Sequence, residues 1–290
     1  MTIEPPRTAT EAEDPEQLYC YGHPNTPTRL RCSRCDRPIC GRCSIPATVG
    51  QHCPECVAEA RRTAPKVRTT MAALAPATRA ILFVSIAVFL GQMFVPGLTN
   101  RFAAIPLVIA AGEWWRLLTP VVLHAGVFHI FMNMYVLTIF GPMIERLYGT
   151  PPFVTIYVIA GFTGSVASYL FSACTVRAVG ASGAIFGIAG ALFVYFWRRR
   201  ELRTMAPYIN SLALFIGLNI LIGFGFNFLG FAVQIDNYAH IGGLLGGALV
   251  GFGLDRRTGD VPLSQYVSVA TLVTAAGIAL VMWRTATFTC

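Results

Sequence analysis

The sequence is short of charge. Only 12% of its 290 residues are Asp, Glu, Lys or Arg, while 54% are hydrophobic; an ordinary soluble domain carries about 25% charged residues. That balance excludes a single soluble globular domain and points to lipid as the solvent for most of the chain. The first 30 residues lack an apolar core and carry Glu4, Pro5, Pro6, Glu11, Glu13 and Asp14, which excludes a secretory signal peptide. Internal repeats and low-complexity tracts are absent as well. A secreted disulfide scaffold is excluded by order along the chain, because seven of the nine cysteines precede any segment that could export them. The net charge of +8 is mostly Arg near expected membrane ends, so it reads as topology rather than nucleic-acid affinity.

What is present divides in two. Residues 1–79 hold 11 of the 22 Lys and Arg, 8 of the 14 Asp and Glu and 7 of the 9 Cys. Beyond them, hydropathy on the scale of about 20 residues predicts seven spans, over 80–98, 117–144, 153–174, 178–197, 205–229, 238–254 and 266–283. The second is too long for one straight helix, so its first part, through His124, is expected to be loop. The plan is a disordered acidic segment over 1–17, a zinc-binding domain over 18–60, a basic Ala/Pro-containing linker over 61–79 and a membrane part over 80–290. A cytoplasmic N-terminus puts Arg146, Arg198, Arg199, Arg200, Arg203, Arg256 and Arg257 inside against Arg101, Arg116 and Arg177 outside. The positive-inside rule then holds at every crossing, with the C-terminus outside.

The head carries four ligand pairs: Cys20-x2-His23, Cys32-x2-Cys35, Cys40-x2-Cys43 and Cys53-x2-Cys56. A two-residue gap lets both side chains of a pair reach one metal, and two pairs complete a tetrahedral zinc site, so four pairs predict two structural zinc ions. A segment of about 40 residues cannot bury enough apolar surface to fold alone, and the metal is expected to supply the difference. The spacing resembles the B-box and related cross-braced zinc fingers. That resemblance implies Cys20, His23, Cys40 and Cys43 on one ion and Cys32, Cys35, Cys53 and Cys56 on the other, with His52 a spare.

Ionisable groups inside a span are costly, so each is a functional candidate. The apolar region has three histidines, His124, His129 and His240. In His124-x4-His129-x3-Asn133 the last two share a helical face. Ser182 sits in Gly180-Ala181-Ser182-Gly183, and counting helix rise back from Arg198 puts it about 24 Å up its span. The same count from Glu145 puts His129 at about 24 Å, and from Asp255 puts His240 at about 22 Å. Three helices thus hold Ser, His and His at one depth, about 6 Å below the outer surface of a hydrocarbon core about 30 Å thick. Ala239, Gly243, Gly247 and Gly251 form a small-residue stripe that can pack against Gly183 and Gly187. His240 shares its face with that stripe and would be carried toward Ser182. Asp236, one turn before His240, reads either as the N-cap of that helix or as a third catalytic member.

These features, with Trp115-Arg116 and Glu145-Arg146, make the chain resemble a rhomboid intramembrane serine protease over about residues 80–283. The resemblance implies an all-α polytopic membrane protein: a six-helix rhomboid-like bundle plus one extra C-terminal helix, here preceded by the small zinc-binding domain. It implies Ser182 as nucleophile and His240 as general base and then acid. It also implies an oxyanion hole from the Ser182 N–H, His129 and Asn133, with Gly180, Ala181, Gly183, His124 and Phe186 in support. The residue one turn after the nucleophile, Phe186, is expected to stack on the His240 ring. No catalytic cofactor is implied. The expected substrates are single-span membrane proteins cut near the outer face of a bacterial plasma membrane, with the zinc finger binding a cytoplasmic protein in preference to nucleic acid. The competing readings are a client-binding protein that does not cut and a transporter that uses the histidines for coupling.

Overall fold

The computed structural model describes residues 18–63, 75–229, 235–255 and 262–290. The acidic segment 1–17, most of the expected linker and the Arg256 and Arg257 pair lie outside the described residues. The chain divides into two compact units, residues 1–69 and 70–290.

In the first unit, β1 (Tyr19–Cys20) pairs antiparallel with β2 (His23–Pro27), and β3 (Ile45–Pro46) pairs antiparallel with β4 (Gln51–His52). Each hairpin presents ligand residues at its turn or just past its end, and α1 (Pro54–Thr63) follows directly. Ile39 is the one buried apolar residue of the cluster that is not a cysteine. Ion pairs Arg31–Asp36, Arg34–Glu59 and Arg37–Glu55 are exposed and contribute little. What this unit buries among its described residues is mostly cysteine.

The second unit is helical: α2 (Pro76–Phe94), two short helices α3 (Leu98–Phe102) and α4 (Pro106–Ala110), then α5 (Val127–Tyr148), α6 (Thr150–Phe171), α7 (Ser182–Trp197), α8 (Ala206–Phe228), α9 (Asn237–Leu254) and α10 (Leu263–Ala286). All seven expected spans are helices. Five of them are long and apolar enough to cross a bilayer: α2, α5, α6, α8 (from Arg203) and α10. The other two, α7 and α9, pack with α6 at the centre of the bundle. The stretch expected to be loop, from residue 117 through His124, holds the 3-10 turn Thr119–Val122, and α3, α4 and the 3-10 turn Trp114–Leu117 precede it.

Close backbone approach builds the centre. A Cβ on Gly243 would lie 2.0 Å from the Gly183 carbonyl oxygen, and one on Gly247 would lie 2.2 Å from that of Gly187. Only glycine permits α7 and α9 to touch this closely, as the stripe predicted. Large apolar side chains such as Phe83, Leu221, Phe228 and Leu272 face outward from α2, α8 and α10, which suits lipid and not water.

Three of the polar groups inside tie elements of the bundle together. Buried Glu145 accepts from the Ala77 and Thr78 N–H groups, both at 3.0 Å, and from the Thr78 and Thr150 hydroxyls at 2.9 and 2.8 Å. A carboxylate from α5 thereby closes the N-terminus of α2, where orphan N–H groups and the helix dipole favour negative charge. Arg116 donates to Glu113 at 2.5 Å and to the carbonyls of Asn100 and Ala103, both at 2.7 Å, tying the short helices together. Asp255 receives a bidentate pair from Arg199 at 2.8 and 3.0 Å and an ion pair from Arg198 at 3.2 Å, which joins the ends of α7 and α9.

Candidate functional site

In the head, the eight expected ligands gather into two groups, Cys20, His23, Cys40, Cys43 and Cys32, Cys35, Cys53, Cys56, each with its donor atoms within 4.8 Å of one another. The measured edges are His23 Nδ1 to Cys20, Cys40 and Cys43 Sγ at 3.8, 3.4 and 3.3 Å, and Cys35 to Cys53 Sγ at 3.8 Å. A tetrahedral ion with bonds of about 2.0 to 2.3 Å requires edges of roughly 3.3 to 3.8 Å, so the donor set fits such an ion. Desolvation acts to raise the Cys20 and Cys32 thiols, but N–H donors outweigh it and bring both down to about 6; the donors are Cys40 and Gly22 for the first, Cys53, Arg34 and Cys35 for the second. Desolvation first, then neighbouring thiols, pushes Cys43 up to about 11. A bond donated by its own thiol to the Cys53 sulfur, ahead of desolvation, pushes Cys56 up to about 12. Without a cation the charges compete, and a bound divalent ion would let the whole set deprotonate. His52 lies on β4 and belongs to neither group.

In the membrane unit Gly180, His129 and Ser182 lie together at the N-terminus of α7, and His240 meets that helix one turn further on, at Phe186. Gly180 has φ +131°, a conformation suited to glycine, and its N–H donates to the Pro120 carbonyl at 2.9 Å. A Cβ here would lie 2.7 Å from His129 Cε1, 2.9 Å from His129 Nε2 and 3.7 Å from the Ser182 hydroxyl. The missing side chain therefore leaves the His129 ring beside Ser182. Ala181 is the N-cap residue and is fully buried; Ser182 opens the helix and is half-buried. The first intrahelical bond runs from Ile185 N–H to the Ala181 carbonyl, so the N–H groups at the start of the helix have no partner within it.

His240 enters from α9 and is 7% exposed. Its ring stacks on Phe186, with centroids 4.2 Å apart and planes 6° from parallel, as the spacing from Ser182 predicts. Its Nδ1 is buried and has no hydrogen-bond partner among the described residues. Asp236 is the N-cap of α9: one carboxylate oxygen accepts from the Ala239 N–H at 2.9 Å and the other from the Ser168 hydroxyl at 2.5 Å. Both oxygens are thus engaged away from the imidazole. Ser182, Gly183, Asp236, Ser168 and Ala239 line one cleft together with Gly180.

Asn133, buried one turn below His129, donates from Nδ2 to the His129 carbonyl at 2.8 Å, which leaves its second amide hydrogen for another acceptor. His124 is 2% exposed, and its ring stands edge-on to His129 with centroids 5.4 Å apart. Two residues gave no signal in the sequence: Ser168 on α6 and Gln92 on α2, which bonds the His124 backbone; Cys174 and Cys290, which the sequence offers as oxidisable without placing them together, form a disulfide. That bridge anchors the loop before Ser182, which also pairs through Ala104 and Ala178 and through the Cys174 carbonyl to the Leu107 N–H.

The family described as Rhomboid domain matches residues 111–257. The chain is 45% identical to rhomboid protease GluP of Bacillus subtilis over 152 residues, covering 51% of this chain and 28% of that protein. It is 37% identical to RHOMBOID-like protein 1 of Arabidopsis thaliana over 148 residues, covering 51% and 36%. It is 36% identical to the putative rhomboid protease YdcA of Bacillus subtilis over 148 residues, covering 50% and 70%. The chain thus spans between about a quarter and about two thirds of the length of these relatives.

Proposed function

The chain belongs to the rhomboid family, and from that premise we propose that it is an intramembrane serine endopeptidase whose nucleophile is Ser182. The observation that supports this most directly is the meeting of three elements at one point: the start of α7 with its free N–H groups, the His129 ring held against Gly180, and α9 delivering His240 on the facing glycine surface. In this reading His240 takes the Ser182 proton as Oγ attacks a peptide carbonyl, then returns it to the leaving amine. The oxyanion is met by the Ser182 N–H, His129 Nε2 and the remaining Asn133 amide hydrogen. Phe186 holds the imidazole plane, and Asp236 positions the helix rather than the ring. Gly183, Ala181 and buried His124 keep the surroundings tight.

The proposed substrates are single-span membrane proteins. Their helix must open locally before a carbonyl is accessible, so small residues and a helix breaker near the outer membrane end are expected. In the head the reading is two structural zinc ions and docking of a cytoplasmic protein. Purified protein in detergent should react with a fluorophosphonate and cleave a single-span substrate, and Ser182→Ala and His240→Ala should each remove cleavage while leaving the fold intact. Cleavage that survives Ser182→Ala would overturn this assignment.

A further inference from the structure

The Gln92 side chain, in the last turn of α2, uses every hydrogen-bonding group it has. Nε2 donates to the Thr99 hydroxyl at 2.8 Å and to the His124 carbonyl at 3.0 Å, while Oε1 accepts from the His124 N–H at 3.0 Å. Exchanging the two ends of the amide would set donor against donor, so the orientation is fixed by its partners. The His124 carbonyl and the Ala125 N–H are opposite ends of one planar trans peptide. That N–H donates to His129 Nδ1 at 3.2 Å. Holding the carbonyl thus holds the plane whose other end meets the imidazole, and hydrogen bonds in such a chain polarise one another.

The consequence is a choice of tautomer. An Nδ1 that accepts a hydrogen bond carries no proton, so the neutral ring keeps its proton on Nε2. Nε2 and Cε1 form the ring edge at Gly180: a Cβ there would lie 2.9 Å from Nε2 and 3.7 Å from the Ser182 hydroxyl, so this edge is turned toward Ser182. The edge facing the nucleophile is therefore the donating edge, which stabilisation of an oxyanion requires; the other tautomer would place a lone pair there. Helix α5 begins at Val127, so the peptide lies outside the helix and nothing in the regular backbone of α5 would fix it.

We propose that Gln92 is a positioning residue that selects the Nε2–H tautomer of His129 through the His124–Ala125 peptide. This rests on the reading of His129 as an oxyanion donor. Two variants of the full chain test it: Gln92→Met, which keeps length and removes all three bonds, and Gln92→Glu, which keeps the acceptor for the His124 N–H and removes the amide donors. The tautomer is read from the nitrogen-15 shifts of His129, and the chemistry from the rate at which a fluorophosphonate modifies Ser182.

Wild type should show a protonated Nε2 and a bare Nδ1. Both variants should show a mixture of tautomers, and the labelling rate should fall about tenfold to a hundredfold. That is less than the 10²- to 10³-fold loss on deleting an oxyanion donor, because part of the population keeps the right tautomer. Should Gln92→Met not fold, Gln92→Glu carries the same test. A His129 spectrum unchanged in a folded variant, or a wild-type labelling rate alongside a mixed spectrum, would overturn the proposal. Failure of the underlying reading shows differently: folded His129→Ala would label at Ser182 at the wild-type rate, while the His129 spectra of the Gln92 variants remain informative about Gln92.

Discussion

The two units of this chain solve the problem of a core in opposite ways. Among its described residues the head has one buried apolar side chain that is not a cysteine, Ile39, and its interior is otherwise made of the two donor groups. The membrane unit has a wide interior of Ile, Leu, Phe and Ala, with glycine backbones in contact at Gly183–Gly243 and Gly187–Gly247. In water a unit of about 45 residues gains too little from burial, so bonds from its two donor groups to an ion would have to substitute. In lipid the hydrophobic effect does not press helices together, so stability depends on how closely they fit. The first unit should fail all at once when its ion leaves; the second should fail in proportion to the misfit introduced.

Metal removal gives the largest contrast. A strong chelator should unfold the head outright, since structural zinc supplies apparent binding free energies of about 10–16 kcal/mol in small domains, yet fluorophosphonate labelling of Ser182 should persist. Elemental analysis before chelation should find two zinc ions per chain; one ion would break the cross-braced pairing. Loss of labelling on chelation would show that the two units are not independent.

In the membrane unit, Gly243→Val should be the most damaging single change to the packing. The new side chain meets a backbone carbonyl rather than a side chain that can turn away, so a cost of about 3 kcal/mol, the upper end for overpacking, is expected. A thermal melt in detergent and loss of Ser182 labelling would report it. Tolerance of Val at this position would refute the close-contact account of α7 and α9.

Cutting the Cys174–Cys290 bridge, with a sequence separation of 116 residues, should cost about 2 kcal/mol. The measurement is the difference in melting temperature between wild type and Cys290→Ser, with cleavage reduced but present because Ala104–Ala178 pairing still holds the loop. The smallest effect belongs to Asp236→Ala, at about 1 kcal/mol for loss of an N-cap. A rate loss near the 10⁴-fold seen when a triad carboxylate is removed would reassign Asp236 to catalysis.

Much of this was legible in the sequence because it is periodic or local. Hydropathy located all seven helices, with shifts at their ends such as α2 starting at Pro76 rather than residue 80, because proline at the first turn and the Glu145 carboxylate extend the helix past the apolar run. The cysteine spacing gave the four ligand pairs, since a two-residue gap has few ways to reach an ion, and the resemblance to cross-braced fingers implied the two groups that the structure gathers. The stack of Phe186 on His240 followed from one helical turn beyond Ser182. The short helices α3 and α4 and the 3-10 turns left no such trace, as they are too short for a period to show.

The identity of the family and the four two-residue-gap ligand pairs were thus legible in the sequence alone, because each depends on spacing within a segment. Tertiary structure decided what depends on two distant segments meeting. It assigned both Asp236 oxygens to Ala239 and Ser168, joined Cys174 to Cys290, and brought Gln92 of α2 to the peptide that touches His129. A hydrogen bond reaches about 3 Å and carries no signature along the chain, so partners 32 residues apart, as Gln92 and His124 are, become visible only once the helices are packed.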